Sequence, residues 1–117
     1  METVATKPGD AMHREEIFKR GHLCRERMYS NNGRKTFECF WKNGRKEGLE
    51  RHWYDDGQKY SVCTYKHGEK EGVERCWYED GQEDFVCTWK NGRRDGLEKI
   101  WYFGGTKFIE WKNGINV

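Results

Sequence analysis

Proline occurs once in this 117-residue chain, at Pro8 beside Gly9 and Asp10. That stretch, Met1 to about Arg14, has no periodicity and reads as a flexible or partner-dependent tail. Long apolar runs are missing. No segment approaches the roughly 20 residues of a membrane-spanning helix, and the first twenty residues hold no apolar block of a secretory signal. A cytosolic or nuclear site is the default expectation, neither secreted nor transmembrane. An excess of one charge is missing too: 22 basic and 20 acidic residues leave a net charge of +2. Nucleic-acid binding rests on a concentrated basic patch, so no nucleic-acid partner is expected. Cysteine is present five times, an odd number, too sparse for a disulfide scaffold. No Cys-x-x-Cys or His-x-x-x-His spacing suggests a metal site.

What the chain does have is aromatics, at 15%, against 36% charged and 34% apolar residues. A thick two-layer core is not expected from that balance. A few large rings per segment can still bury much area, which excludes a disordered chain.

The sequence also has a repeat. The stretch from Trp89 to Tyr102 matches Tyr65 to Tyr78, 24 positions earlier, and Trp41 to Tyr54, 24 earlier again. A period of that size means stacked copies of one supersecondary unit. Regular units run 41–64 and 65–88. A unit two residues short runs 89–110, and one residue short 18–40, with its deletion just after Gly21 and Leu23 in place of its second glycine. Trp111-Lys112-Asn113-Gly114 opens a further unit. One domain is expected, the array over 17–117, preceded by a flexible tail over 1–16. The positions that define the repeat are Trp41, Gly44, Gly48, Tyr65, Gly68, Gly72, Trp89, Gly92, Gly96, Trp111 and Gly114.

Within a unit the signals are strand and turn. Asn43-Gly44, His67-Gly68, Asn91-Gly92 and Asn113-Gly114 suit tight hairpin turns, and so do Asn32-Gly33, Asp56-Gly57, Asp80-Gly81 and Gly104-Gly105, because glycine supplies positive φ. Strands are expected over 49–54 and 59–65, 73–78 and 83–89, 97–103 and 106–111. The class is all-β. Strand alternation puts Phe37, Cys39 and Trp41 on one face, and likewise Phe85, Cys87 and Trp89. Both faces carry aromatics, so the sheet is expected to twist strongly or to meet a partner.

These residues resemble the MORN repeat. Phe85 to Gly92 followed by Gly96 carries the resemblance, as does Phe37 to Gly44 followed by Gly48. Ser61 to Gly68 matches with Ser61 for the aromatic, and Lys107 to Gly114 is the weakest copy. The resemblance covers about Ile17 to Val117. Cys39, Cys63, Cys87 and Ile109 stand where the family usually has its first glycine, and the second strand of the unit carries Trp53, Trp77 and Trp101 just before tyrosine. Those departures are similar to a divergent variant found in bacterial antitoxin-like proteins and in short repeat proteins of large amoeba-infecting viruses. The resemblance implies an elongated, single-layer, twisted antiparallel meander of stacked hairpins. It implies a role in scaffolding, protein contact or phosphoinositide contact.

Candidate chemistry is thin. Cys39, Cys63 and Cys87 share one repeat position, two strands apart, or about 9–10 Å. That is beyond the ~7 Å a disulfide spans and too far for shared zinc ligation. They read as small apolar fillers. Cys76 lies between, and a two-residue turn at Asp80-Gly81 would set it opposite Phe85 and diagonal to Cys87. His67 is expected in a turn, and His52 at a packing position. No nucleophile, base and orienting acid converge at a unique position, so no catalytic residue, cofactor or metal is expected. Glu50, Glu74 and Glu98 form one column, explained by cross-strand charge pairing. Arg51, Arg75 and Lys99 form another on the opposite face, beside Trp53, Trp77 and Trp101. That cation–aromatic strip is the candidate interaction face.

The expected function is a non-enzymatic structural or protein-interaction module. A small single-layer sheet with open edges is expected to self-associate or to dock on a larger assembly in the cytoplasm, a virus particle being one specific expectation. A lipid-surface adaptor and an antitoxin-like protein that masks a partner are the alternatives.

Overall fold

A computed structural model describes the backbone of residues 2–6 and all of residues 13–117. The strands are β1 (Glu2–Thr6), β2 (His13–Lys19), β3 (His22–Tyr29), β4 (Lys35–Lys42), β5 (Arg45–Lys46), β6 (Gly48–Trp53), β7 (Lys59–Lys66), β8 (Glu69–Lys70), β9 (Gly72–Trp77), β10 (Glu83–Lys90), β11 (Arg93–Arg94), β12 (Gly96–Tyr102), β13 (Gly105–Lys112) and β14 (Ile115–Asn116). No helix occurs among the described residues, so none is long and apolar enough to cross a membrane. One sheet holds every strand, with the long ones in sequence order and every pair antiparallel. The molecule measures 46 × 32 × 18 Å. The all-β, elongated, single-sheet meander expected from the repeat is what forms.

Each unit contains two kinds of turn. The first is a two-residue turn in which both central residues have positive φ, as at Asn43 (52°) and Gly44 (77°) or His67 (53°) and Gly68 (84°). This mirror-image turn matches the twist of the flanking strands. Beyond it come the short strands β5, β8, β11 and β14, which pair back on the end of the preceding long strand. Strand-length reading did not anticipate them. Gly48, Gly72 and Gly96, with φ of 99°, 87° and 92°, then redirect the chain into the next long strand. This is the role of the second glycine of the unit.

The other turn is a three-residue loop. Tyr54 and Gln58 close it, with the Gly57 N–H donating to the Tyr54 carbonyl at 2.9 Å, and Tyr78 to Gln82 repeats it. The expected two-residue turn at Asp80-Gly81 is therefore corrected. A bulge in β10 between Glu83 and Phe85 absorbs the extra residue, so Cys76 still stands opposite Phe85. In the last unit the turn is Phe103-Gly104, because Tyr102 already pairs Gly105; the expected Gly104-Gly105 pair is displaced by one position.

The array also starts earlier than residue 17. Strand β2 begins at His13, and Glu2–Thr6 pairs along it from Glu2↔Lys19 to Thr6↔Glu15. That much of the expected tail is strand. Met1 and residues 7–12 lie outside the described residues.

Register sorts the side chains into two faces. On one, Glu26 stands opposite Cys39, Glu50 opposite Cys63, Glu74 opposite Cys87 and Glu98 opposite Ile109. The four glutamates and the three cysteines are all buried. On the other face lie Leu49, Arg51 and Trp53 with their equivalents Val73, Arg75, Trp77 and Leu97, Lys99, Trp101. There Leu49, Val73 and Leu97 are 43%, 50% and 61% exposed.

Candidate functional site

The glutamate face is closed by its own chemistry. The indole N–H groups of Trp41, Trp89 and Trp111 donate to Glu26 at 2.7 Å, Glu74 at 2.8 Å and Glu98 at 2.8 Å. Lys46, Lys70 and Arg94 pair with Glu50 at 2.5 Å, Glu74 at 3.0 Å and Glu98 at 3.4 Å. The same cations lie over rings: Lys46 over Tyr65 at 4.9 Å, Lys70 over Trp89 at 4.8 Å and Arg94 over Trp111 at 5.1 Å. At Glu74 and Glu98 a carboxylate, a ring and a cation satisfy one another, and at Glu50 the Lys46 cation joins the carboxylate to the Tyr65 ring. The charge pairing expected of the Glu50, Glu74 and Glu98 column forms, and the paired glutamates are also buried.

His52 belongs to this face. Its ring meets Phe37 edge-on at 4.9 Å, and its Nε2 lies 3.2 Å from Glu50. Burial pushes the Glu50 carboxyl up, but the hydrogen bonds of His52 and Lys46 outweigh that, and it lies below the usual 4.5. All five cysteines are free thiols. Burial, helped by nearby carboxylates, pushes Cys39, Cys76 and Cys87 up to about 12 and Cys63 to about 11. Thiols held that firmly neutral are poor nucleophiles and poor metal ligands. Among the described residues, no three His, Cys, Asp or Glu side chains converge so as to hold a metal ion.

Units are also stitched through their turns. The Glu47 carboxylate accepts the His67 backbone N–H at 2.6 Å, Glu71 that of Asn91 at 2.8 Å, and Asp95 that of Asn113 at 3.3 Å. The Tyr54 hydroxyl donates to the Trp77 carbonyl at 2.6 Å, and Tyr78 to that of Trp101 at 2.7 Å. His67 is exposed, in its turn. These contacts fix the step from unit to unit and use the residues nearest the two turns.

The opposite face is open. The register places all six candidate residues on it: Arg51, Trp53, Arg75, Trp77, Lys99 and Trp101. Their contacts are not uniform. Arg51 lies over Trp53 at 5.6 Å and donates to Glu38 at 2.9 Å. Lys99 lies over Trp101 at 4.7 Å and Phe108 at 5.6 Å. Arg75 instead turns to Glu83 at 3.4 Å, and it is Lys59 that covers Trp77, at 5.7 Å. Lys35 adds a second cation over Trp53, at 5.0 Å. Between Trp53 and Trp77 runs a groove of about 290 Å³ floored by Leu49 and Val62. Arg51 and Lys59 border it, and no carboxylate lines it. The exposed aliphatic column of Leu49, Val73 and Leu97 lies alongside; sequence reading placed it on this strand but gave it no role.

No protein-family model matches the chain, and no curated protein matches it in sequence. Among solved structures, a chain in the crystal structure of accessory secretory protein 1, 2 and 3 in Streptococcus pneumoniae is similar. The TM-score is 0.48 at 14% identity, over 84% of this chain and 19% of that one. At that distance the likeness informs neither the site nor a partner.

Proposed function

We propose that the chain is a non-enzymatic interaction module of stacked MORN-type repeats that docks on a larger protein assembly. The observation that carries this reading is the in-register exposure of Leu49, Val73 and Leu97 beside Trp53, Trp77 and Trp101 on one open face. A contiguous apolar surface rimmed by charge marks a contact site, and aromatic and arginine side chains are favoured anchors. The other face supports the reading by contrast. There each ring, carboxylate and cation is satisfied within the chain, which leaves little for a partner to gain. The basic column is not a dense cluster of the kind anionic membranes attract, and Arg51 and Arg75 already hold carboxylates.

Flotation with phosphatidylserine vesicles at low salt, run beside sedimentation of the purified chain with its co-purifying proteins, tests the proposal. The chain is expected to stay with protein and not to float. Flotation abolished by reversing Arg51, Arg75 and Lys99 would overturn it in favour of a lipid surface.

A further inference from the structure

The open face has a period of its own. Trp53, Trp77 and Trp101 stand on β6, β9 and β12, with β7 and β10 between them. Two strand steps separate successive tryptophans by about 9.4–9.8 Å. A ligand that crosses the strands and presents the same side to each ring must share that repeat. An α-helix advances about 1.5 Å per residue, so no whole turn fits until roughly seven residues and 10.5 Å. An extended strand covers the step in about three residues, but its period of two turns the third to the opposite side. A polyproline-II segment has three residues per turn and about 9.3 Å per turn, so each third residue faces the same way. Such segments dock on aromatic-lined grooves, with little ordering entropy to overcome.

Charge then selects among such segments. The groove between Trp53 and Trp77 is bordered by Arg51 and Lys59 and lined by no carboxylate. In the next unit Glu83 takes the place of Lys59 opposite the tryptophan and pairs with Arg75 at 3.4 Å. Arg51 and Arg75 each already hold a carboxylate, Glu38 at 2.9 Å and Glu83 at 3.4 Å, so it is Lys59 that makes the Trp53–Trp77 groove favour an anionic neighbour, where the next unit has Glu83. Resting on the protein-docking reading above, we propose that the Trp53–Trp77 groove receives a proline-rich segment in the polyproline-II conformation, with a Glu or Asp of that segment set against Lys59.

The test is fluorescence anisotropy of labelled peptides titrated with the full chain. The probes are a repeating Pro-Pro-Glu peptide, a repeating Pro-Pro-Lys peptide, and a helical Glu-Ala peptide of equal charge. Saturable binding of Pro-Pro-Glu alone is expected, weakened about threefold or more by Lys59→Glu. Glu83→Lys, at an exposed position, frees Arg75 and is expected to strengthen it by a similar factor. Neither variant touches the buried face, so the melting temperature serves as the control for folding. Equal binding of the Glu-Ala peptide, or no saturable binding of Pro-Pro-Glu, would overturn the proposal. Absent peptide binding together with retention in a protein complex would sink the proline-rich partner and leave the docking reading standing. Vesicle flotation would sink both.

Discussion

Trp89 reaches back across the sheet to Glu74, its indole N–H 2.8 Å from a carboxylate fifteen residues earlier. Lys70 holds the other oxygen at 3.0 Å and lies over the same ring at 4.8 Å. Among the described residues the sheet has no second layer to bury its rings against. It folds the rings down over its own charged residues instead, and the glutamate becomes the hub of each unit. Removing that hub is expected to unfold more than one contact. Glu74→Ala should cost about 2–3 kcal/mol in urea denaturation, because a charge-assisted hydrogen bond and an ion pair go together. Glu74→Gln keeps an acceptor for Trp89 and should cost about 1 kcal/mol. Equal costs would show that the indole bond contributes nothing.

The thiols give a second prediction. Cys39, Cys63, Cys76 and Cys87 are buried, whereas Cys24 is only partly covered. A thiol reagent at pH 8 should label Cys24 quickly and the other four only at the rate of opening. Full labelling on denaturation should be immediate. Fast labelling of Cys87 in the native chain would mean that the units part readily.

Stability against pH has a worked sign at both ends. The buried thiols lie above the ordinary 9.0, at about 11 to 12. Their contribution is complete below the unfolded value and is lost as pH rises through the folded one. Each such thiol should lower stability by about 1.4 kcal/mol per pH unit within that window, and Cys87→Ala should flatten the slope. Glu50 is shifted the other way, below 4.5. Its contribution is present above 4.5 and is lost as pH falls through the depressed value. Acid titrations of the chain and of Glu50→Gln should diverge only there.

Turn geometry predicts substitutions of opposite sign. Gly72 has open space for a Cβ but a φ of +87°, so Gly72→Ala should cost about 1–2 kcal/mol through backbone strain alone. His67 holds φ of 53° where three other units have asparagine, at Asn43, Asn91 and Asn113. Asparagine tolerates that region better, and His67→Asn should stabilise by a few tenths of a kcal/mol, roughly. Thermal melts of the two variants would read both effects.

Much of this was written in the 24-residue period. The Asn-Gly and His-Gly pairs marked the tight turns, and the alternation of Leu49, Arg51 and Trp53 put the basic and aromatic columns on one face. Cys76 opposite Phe85 was legible for a reason that proved incomplete, since a bulge and not a two-residue loop sets the register. The buried role of Glu50, Glu74 and Glu98 was not legible. Propensity and charge place a glutamate on the surface; only the three-dimensional return of Trp89 or Lys70 over it makes burial affordable. The short strands such as Arg45–Lys46 were hidden for a similar reason, because two residues carry no period. Glu2–Thr6 was hidden because its pairing with β2 depends on a partner strand that no local pattern names.

The central claim is that the Leu49, Val73 and Leu97 face binds a protein partner. The most direct test is the native mass of the chain recovered from its source, compared with a Leu49→Asp, Val73→Asp, Leu97→Asp variant. These positions are exposed, so circular dichroism and melting should barely change, within about 0.5 kcal/mol per site. The account predicts that the parent chain is recovered in a larger complex of fixed stoichiometry and that the variant is recovered alone, folded. A folded variant that stays in the complex as firmly as the parent would contradict it.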